Sequence, residues 1–224
     1  MLKAALDTSI TCNLLIYRDD EKVFQGTLDS QSRDNDRNLP PWLVETLASL
    51  GGTLNDVRQW TVGTGPGSFA GLRSGIAFIK GICMASGAQL RGVPSCVATA
   101  QQANPKPGQK TGVIMDGRCG QILLAIVKDG RLHADPVALD PEDLLSTHYQ
   151  CDVWITPQPT LIPPLPESVQ DNLKKVDCID ITPLILDTMT PWPKDWSEID
   201  KSCEPIYVRP PVFVKPIELK NLLA

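Results

Sequence analysis

Clusters of one kind are missing throughout this sequence. Its 21 basic and 26 acidic residues give a formal charge of −5, and lysine and arginine form no run. Phosphate contacts need clustered cations, so tight unaided binding to nucleic acid is excluded as an expectation. The seven cysteines, Cys12, Cys83, Cys96, Cys119, Cys151, Cys178 and Cys203, never form a C-x-x-C pair. Odd number and wide spacing suit buried thiols in a reducing compartment rather than a disulfide framework or zinc site. There are two histidines, His133 and His148, in no ligand-like spacing, so no metal site is expected and both are read as surface residues. No G-x-S-x-G elbow is present. The opening Met1 to Asp7 places an acid where a signal peptide needs apolar residues, and the most apolar stretch, 69–88, contains Arg73 and Lys80. The expectation is a cytoplasmic protein with no membrane span.

What is present fits an ordinary globular chain of 224 residues, 42% hydrophobic and 21% charged, long enough for one large domain or two small lobes. Three short strands are expected over residues 2–10, 12–17 and 22–28, with Asp19-Asp20 turning between the last two. Asn38 then caps a helix carrying Pro40 and Pro41 in its first turn and Trp42, Leu43, Leu47 and Leu50 beyond. A strand at 57–62, a helix at 69–86 stopped by Gly87, a strand at 90–93 and a helix opened by Pro94-Ser95 follow. Strands at 111–116, 121–127 and 132–139 begin the second half as the first began. A meander followed by alternating helix and strand predicts an α/β fold with mixed sheets flanked by helices. The boundary is set between 1–104 and 105–224. Twelve of the 20 prolines fall between 157 and 216, which forbids long helices there.

Two features could carry function. The first is the loop Gly63-Thr64-Gly65-Pro66-Gly67-Ser68 between a strand and a helix, a potential anion site. It lacks the Gly-Lys-Ser/Thr of a P-loop, Ser68 stands at the third glycine of G-x-G-x-x-G, and Pro66 deletes a donor. With Asp7-Thr8-Ser9 at the end of the first strand, the loop reads either as a phosphate cradle or as structural turns. The second is the helix that follows. Phe69, Leu72, Ile76, Ile79 and Cys83 share one face, and Gly71, Gly75, Phe78, Ile82 and Ala85 another. Arg73 and Lys80 occupy a narrow edge, with Ala70, Ser74, Ala77 and Gly81 beyond. Such a helix lacks a broad polar face, so it is covered either by its own domain or by a helix of another chain.

The segment Gly65 to Gly75, Gly-Pro-Gly-Ser-Phe-Ala-Gly-Leu-Arg-Ser-Gly, resembles the signature of the glycoprotease-like TsaB (formerly YeaZ) family. Leu6-Asp7-Thr8-Ser9 resembles its opening strand, Asp116-Gly117-Arg118 an internal Asp-x-Arg, and Pro205-Ile206-Tyr207-Val208-Arg209 a late Pro-x-Tyr-Leu-Arg. The likeness spans about residues 2–128 and thins until Pro205. Ala70 replaces a usual Thr, and Asn35-Asp36-Arg37 stands where relatives often read His-Ser-Glu. The resemblance implies an actin-like ATPase (ribonuclease H-like) fold of two duplicated lobes. It implies a non-catalytic subunit, with no cofactor, that pairs with the catalytic TsaD in forming N6-threonylcarbamoyladenosine at position 37 of ANN-decoding tRNAs. It further implies TsaE, an ATPase, as a partner, homodimer formation when alone, and tRNA contact only through the complex. Mapped here, the interface comprises Trp42, Thr46, Ala70, Arg73, Ser74, Ala77, Phe78 and Gly81, and Asp7, Thr8, Ser9, Gly65, Gly67 and Ser68 form a vestigial phosphate loop. The alternative is an actin-like-fold small-molecule kinase or ATPase using Asp7 and that loop.

Overall fold

A computed structural model of the chain describes residues 1–28 and 35–209, with the side chains of Asn35 and Asp36 outside the description. The His-Ser-Glu replacement and the prolines at 210, 211 and 216 therefore lie wholly or partly outside the described residues.

The first sheet is built from β1 (Leu2–Asp7), β2 (Asn13–Arg18), β3 (Glu21–Thr27), β4 (Val57–Gly63) and β5 (Gln89–Val93) in the order β3-β2-β1-β4-β5. The first three strands form the expected antiparallel meander, with Leu6 opposite Leu14, and β1, β4 and β5 run parallel. Alternation sends Leu2, Ala4 and Leu6 of β1 with Leu14 and Ile16 of β2 to one face, and Ala5, Leu15 and Tyr17 to the other. Both faces are therefore covered. Helices α1 (Asn35–Ser49) and α2 (Phe69–Ser86) pack on the first, and α3 (Ser95–Gln101) on the second.

The second sheet uses β6 (Lys110–Asp116), β7 (Ile122–Lys128), β8 (Arg131–Leu132), β9 (Val137–Leu139), β10 (Val153–Thr156) and β11 (Leu173–Lys175). β6 is central, antiparallel to β7 and parallel to β10, which is parallel to β11; β8 and β9 both pair with β7. This repeats the topology of the first sheet. Two sheets of this order, flanked by helices, make the actin-like fold. Its crossovers have shrunk: α4 (Glu167–Gln170), the element between β10 and β11, has four residues where α2 has 18. Prolines 163, 164 and 166 leading into α4 explain the loss. Helices α5 (Thr182–Leu186) and α6 (Trp196–Ser202) return to the first sheet.

Several boundaries differ from expectation. β1 stops at Asp7 and not near residue 10 because Asp7 turns to bind its own neighbours. The strand expected over 132–139 divides into β8 and β9 on either side of Pro136, which cannot donate to a ladder. α1 begins a turn before the prolines, so Pro40 and Pro41 lie within it. Leu39, Leu43 and Leu47, spaced by four, still form its buried stripe. α2 begins and ends where expected, with the Ser68 hydroxyl accepting from the Gly71 amide at 3.3 Å and Gly87 in the left-handed region at φ 69°. Phe69, however, is 39% exposed and leaves the core to Leu72, Ile76, Ile79 and Cys83. Cys12, Cys83, Cys96 and Cys203 are buried, but Cys119 and Cys178 are exposed, against the expectation for them.

One buried cation holds the proline-rich return. Arg91 of β5 donates from Nε to Thr61 Oγ1 at 3.3 Å and through its other nitrogens to the carbonyls of Thr190 (2.9 Å), Leu184 (3.3 Å) and Ile185 (3.2 Å). The Trp192 ring lies 4.4 Å below the guanidinium carbon. Lysine has neither the fork nor the planar face for this. Arg91→Lys is expected to lower stability in urea unfolding by about 1–3 kcal/mol, the cost of buried carbonyls left unpartnered. It should also expose residues 184–192 to limited proteolysis. An unchanged cleavage pattern would show that this segment is held by something else.

Candidate functional site

The glycine loop is tied to β1 by a buried carboxylate. Asp7 Oδ1 accepts from Ser95 Oγ at 2.8 Å and from the Ser9 amide at 3.1 Å, and Oδ2 accepts from Ser9 Oγ at 3.0 Å. Ser95 Oγ in turn accepts from the Gly65 amide at 2.9 Å. The Ser68 amide donates to the Ser9 carbonyl at 2.6 Å, and Thr8 Oγ1 donates to the Gly71 carbonyl at 2.7 Å. A Cβ on Gly67 would collide with the Ser9 carbonyl, so glycine is required by close approach. The structure brings Asp7, Thr8, Ser9, Gly65, Gly67 and Ser68 together and turns them on one another. The Asp7 carboxylate and the hydroxyls of Thr8 and Ser9 are engaged inside the protein. Ser95 belongs to this network and was not read from the sequence; the Pro94-Ser95 helix start was its sole signal.

Burial pushes the Asp7 carboxyl above its usual range, opposed by the hydrogen bonds from Ser95 and Ser9. Burial, with a smaller effect of the Asp7 charge, also pushes the Cys12 thiol up to about 12. Burial likewise pushes Cys83 and Cys96 up to about 12 and Cys203 up to about 11, which favours the protonated thiol in the core.

On α2 the small-residue side faces solvent. Ala70 and Ala77 are exposed, Ser74 is half-buried, and a Cβ on Gly81 would meet no atom within 4 Å. Met84, 70% exposed, prolongs the strip. Phe78 is half-buried against the core, and Lys80 pairs with Asp200 of α6 at 2.8 Å. The two α1 residues expected beside this strip are less available. Trp42 is half-buried and packs edge-on to Phe24 at 6.2 Å, and Thr46 is only 7% exposed. Val44, 50% exposed, is the apolar side chain that α1 offers instead. Arg73 lies at the head of the strip with its guanidinium 4.1 Å from the Phe69 ring centre, and its Nε donates to the Tyr207 hydroxyl at 2.8 Å.

Between the sheets opens a cleft of about 660 Å³. Ser68, which caps α2, and Phe69 and Ala70, its first residues, line one side and Asp116 to Arg118 the other, with Tyr207 to Arg209 along the rim. A helix N-terminus and the guanidinium groups of Arg118 and Arg209 are groups that can meet an anion. Asp116 shapes the opposite turn, its Oδ1 accepting from the Arg118 amide at 2.8 Å. His133 and His148 are exposed and lie outside the cleft. Among the described residues, no group of three or more His, Cys, Asp or Glu side chains could hold a metal ion, and no helix is long and apolar enough to cross a membrane.

The buried carboxylate has a thermodynamic signature. A carboxyl whose folded pKa exceeds its unfolded value binds more protons when folded. Its contribution to stability therefore falls as pH rises from about the ordinary carboxyl value of 3.8 through the raised folded value. Asp7→Asn removes that dependence. Relative to the parent, the variant is expected to gain stability on going from acid to neutral pH in urea unfolding. Parallel pH profiles would contradict a raised carboxyl.

Comparison with known proteins gives a consistent relationship. Residues 28–154, more than half of the chain, match the family model described as "TsaD: tRNA N6-adenosine threonylcarbamoyltransferase". The chain is 28% identical over 127 residues to the tRNA threonylcarbamoyladenosine biosynthesis protein TsaB of Escherichia coli K12, covering 54% of this chain and 52% of that protein. It is 32% identical over 135 residues to TsaB of Haemophilus influenzae, covering 58% and 56%. The aligned region thus spans about half the length of these curated relatives. A solved protein from Pseudomonas aeruginosa, described as similar to the peptidase YEAZ, superposes with a TM-score of 0.63 at 19% identity, covering 93% of this chain and 99% of that one. YeaZ from the same organism superposes with a TM-score of 0.55 at 21% identity, covering 70% and 75%. The chain belongs to the family of the matched TsaD model, among its TsaB (YeaZ) members.

Proposed function

We propose that this chain is a non-catalytic subunit of the machinery that makes N6-threonylcarbamoyladenosine at position 37 of ANN-decoding tRNAs, and that it binds a TsaD-type catalytic subunit through α2 and the adjoining surface of α1. The observation that carries the reading is the solvent-facing strip Ala70, Ser74, Ala77, Gly81 and Met84 on a helix otherwise packed into its own core. A strip of small side chains lets a second helix backbone approach closely, and α2, at 1.5 Å per residue, is roughly 27 Å long. The names of the curated relatives supply the pathway. The net charge of −5 fits a subunit whose tRNA is held by the assembled complex. In this reading the chain works in the cytoplasm, self-associates through the same strip when alone, and meets the ATPase TsaE within the complex. The inward-turned Asp7, Thr8 and Ser9 fit a loop that no longer handles phosphate.

The cleft supports a second reading, an actin-like-fold kinase or ATPase, because a helix N-terminus and two arginines border it. Titration of the isolated chain with ATP separates the two. Micromolar affinity with turnover favours the kinase, and no saturable binding favours the subunit.

Co-expression with TsaD tests the surface. Ala77→Arg or Gly81→Trp should weaken pairing, read by co-purification, by about five- to 150-fold, since bulk at a close-packed contact costs about 1–3 kcal/mol. Neither should unfold the chain, because both side chains enter open solvent. Gly81→Ala should stabilise the isolated protein by about 0.5–1 kcal/mol through lower chain entropy. Retained pairing, with restored modified nucleoside in TsaB-depleted cells, would place the interface elsewhere.

A further inference from the structure

The segment Pro205–Arg209 crosses the open side of the cleft and touches both halves of the molecule. The Ile206 amide donates to the Thr64 carbonyl at 2.8 Å, anchoring it to the glycine loop. Tyr207 accepts from Arg73 Nε and lays its ring 4.8 Å from that of Phe69, at the head of α2. Two residues later the Arg209 guanidinium donates to Gln121 Oε1 in the β6–β7 turn. Gln121 is itself fixed by donation from Nε2 to Asp140 at 3.0 Å. On the closed side of the cleft the halves are joined by α3, whose residues Cys96, Val97 and Ala100 are buried against Val113, Met115 and Ala125 of the second sheet.

The two connections differ in strength. α3 is buried from Ser95 to Ala100, whereas Tyr207 and Phe69 are each 39% exposed. An exposed cation–π contact of this kind is among the weaker interactions that hold a chain in place. A firm hinge on one side and a weak tie on the other are the parts that a two-state opening requires.

We infer that Pro205–Arg209 is an interlobe latch, closed in this structure, whose release opens the cleft and frees Arg73 and Phe69 at the head of α2 in one step. The surface at the α2 head and the access to the cleft are then coupled, because Arg73 holds the latch and lies between Ala70 and Ser74 of the exposed strip. The coupling is a property of the isolated chain and stands independently of which partner α2 meets.

Native-state hydrogen exchange on the full chain tests it. Tyr207→Ala removes contacts made to the first half alone. It should nonetheless speed exchange at the Gly117 and Gln121 amides, which are bonded within the β6–β7 turn. Arg209→Ala removes a contact to the second half alone and should speed exchange at Gly71 and Leu72, the first-turn amides of α2. An acceleration of about two- to fivefold is expected from a loss of this size. Rates are taken relative to the amides of β4, so that any loss of global stability cancels. Acceleration confined in each variant to the half that lost the contact would overturn the latch.

Discussion

A carboxylate with no access to solvent organises the N-terminal half. Leaving Asp7 charged inside a protein is costly, and three hydrogen bonds to its oxygens offset the cost only when all are made together. Making them fixes the turn after β1, the start of α3 and, through Ser95, the Gly65 amide. Once Gly65 is placed, Gly67 lies on the Ser9 carbonyl and the first turn of α2 on Thr8. The N-terminus of the longest helix is thus positioned by the hydrogen bonds of one buried carboxyl group together with its apolar face. The same economy of donors and acceptors leaves little for a ligand at this turn.

Duplication survives in the sheets and not in their crossovers. β1 and β6 occupy the same central place, and each is flanked by an antiparallel meander and two parallel strands. The first half fills its crossovers with helices of 15 and 18 residues, whereas the second uses 3-10 turns and α4. A four-residue helix cannot present a continuous face. The asymmetry therefore concentrates any helical docking surface on α1 and α2, and leaves the second half to pack its core around Trp154, Ile114 and Leu124.

What the sequence revealed follows the range of the interactions involved. α2 was legible from end to end because its cap and its stop, Ser68 and Gly87, are local. The meander was legible because alternation and Asp19-Asp20 are local too. Phe69 was misplaced because helical periodicity put it with Leu72 and Ile76, while its neighbours in space are Arg73 and a tyrosine more than 130 residues away in the chain. Arg91 reads as an ordinary residue in a short apolar strand, and its carbonyl partners lie more than 90 residues further on. Thr46 sits on the inner side of α1 because it lies three residues after Leu43 and seven after Leu39, beside the stripe that rests on the sheet.

Two long-range contacts fall on the charged edge of α2. Lys80, past the middle of the helix, is paired with Asp200 of α6, and Arg73, near its start, is held by Tyr207. Both cations on the narrow charged edge are thus used to attach the C-terminal return, which explains why the edge is narrow. It serves as a seam within the chain, and the helix meets solvent along the strip beside it. The seam and the strip share Arg73. A change in how the return is fastened therefore alters the charge, the aromatic cover and the contour at the head of the exposed strip, without any change in the strip's own residues.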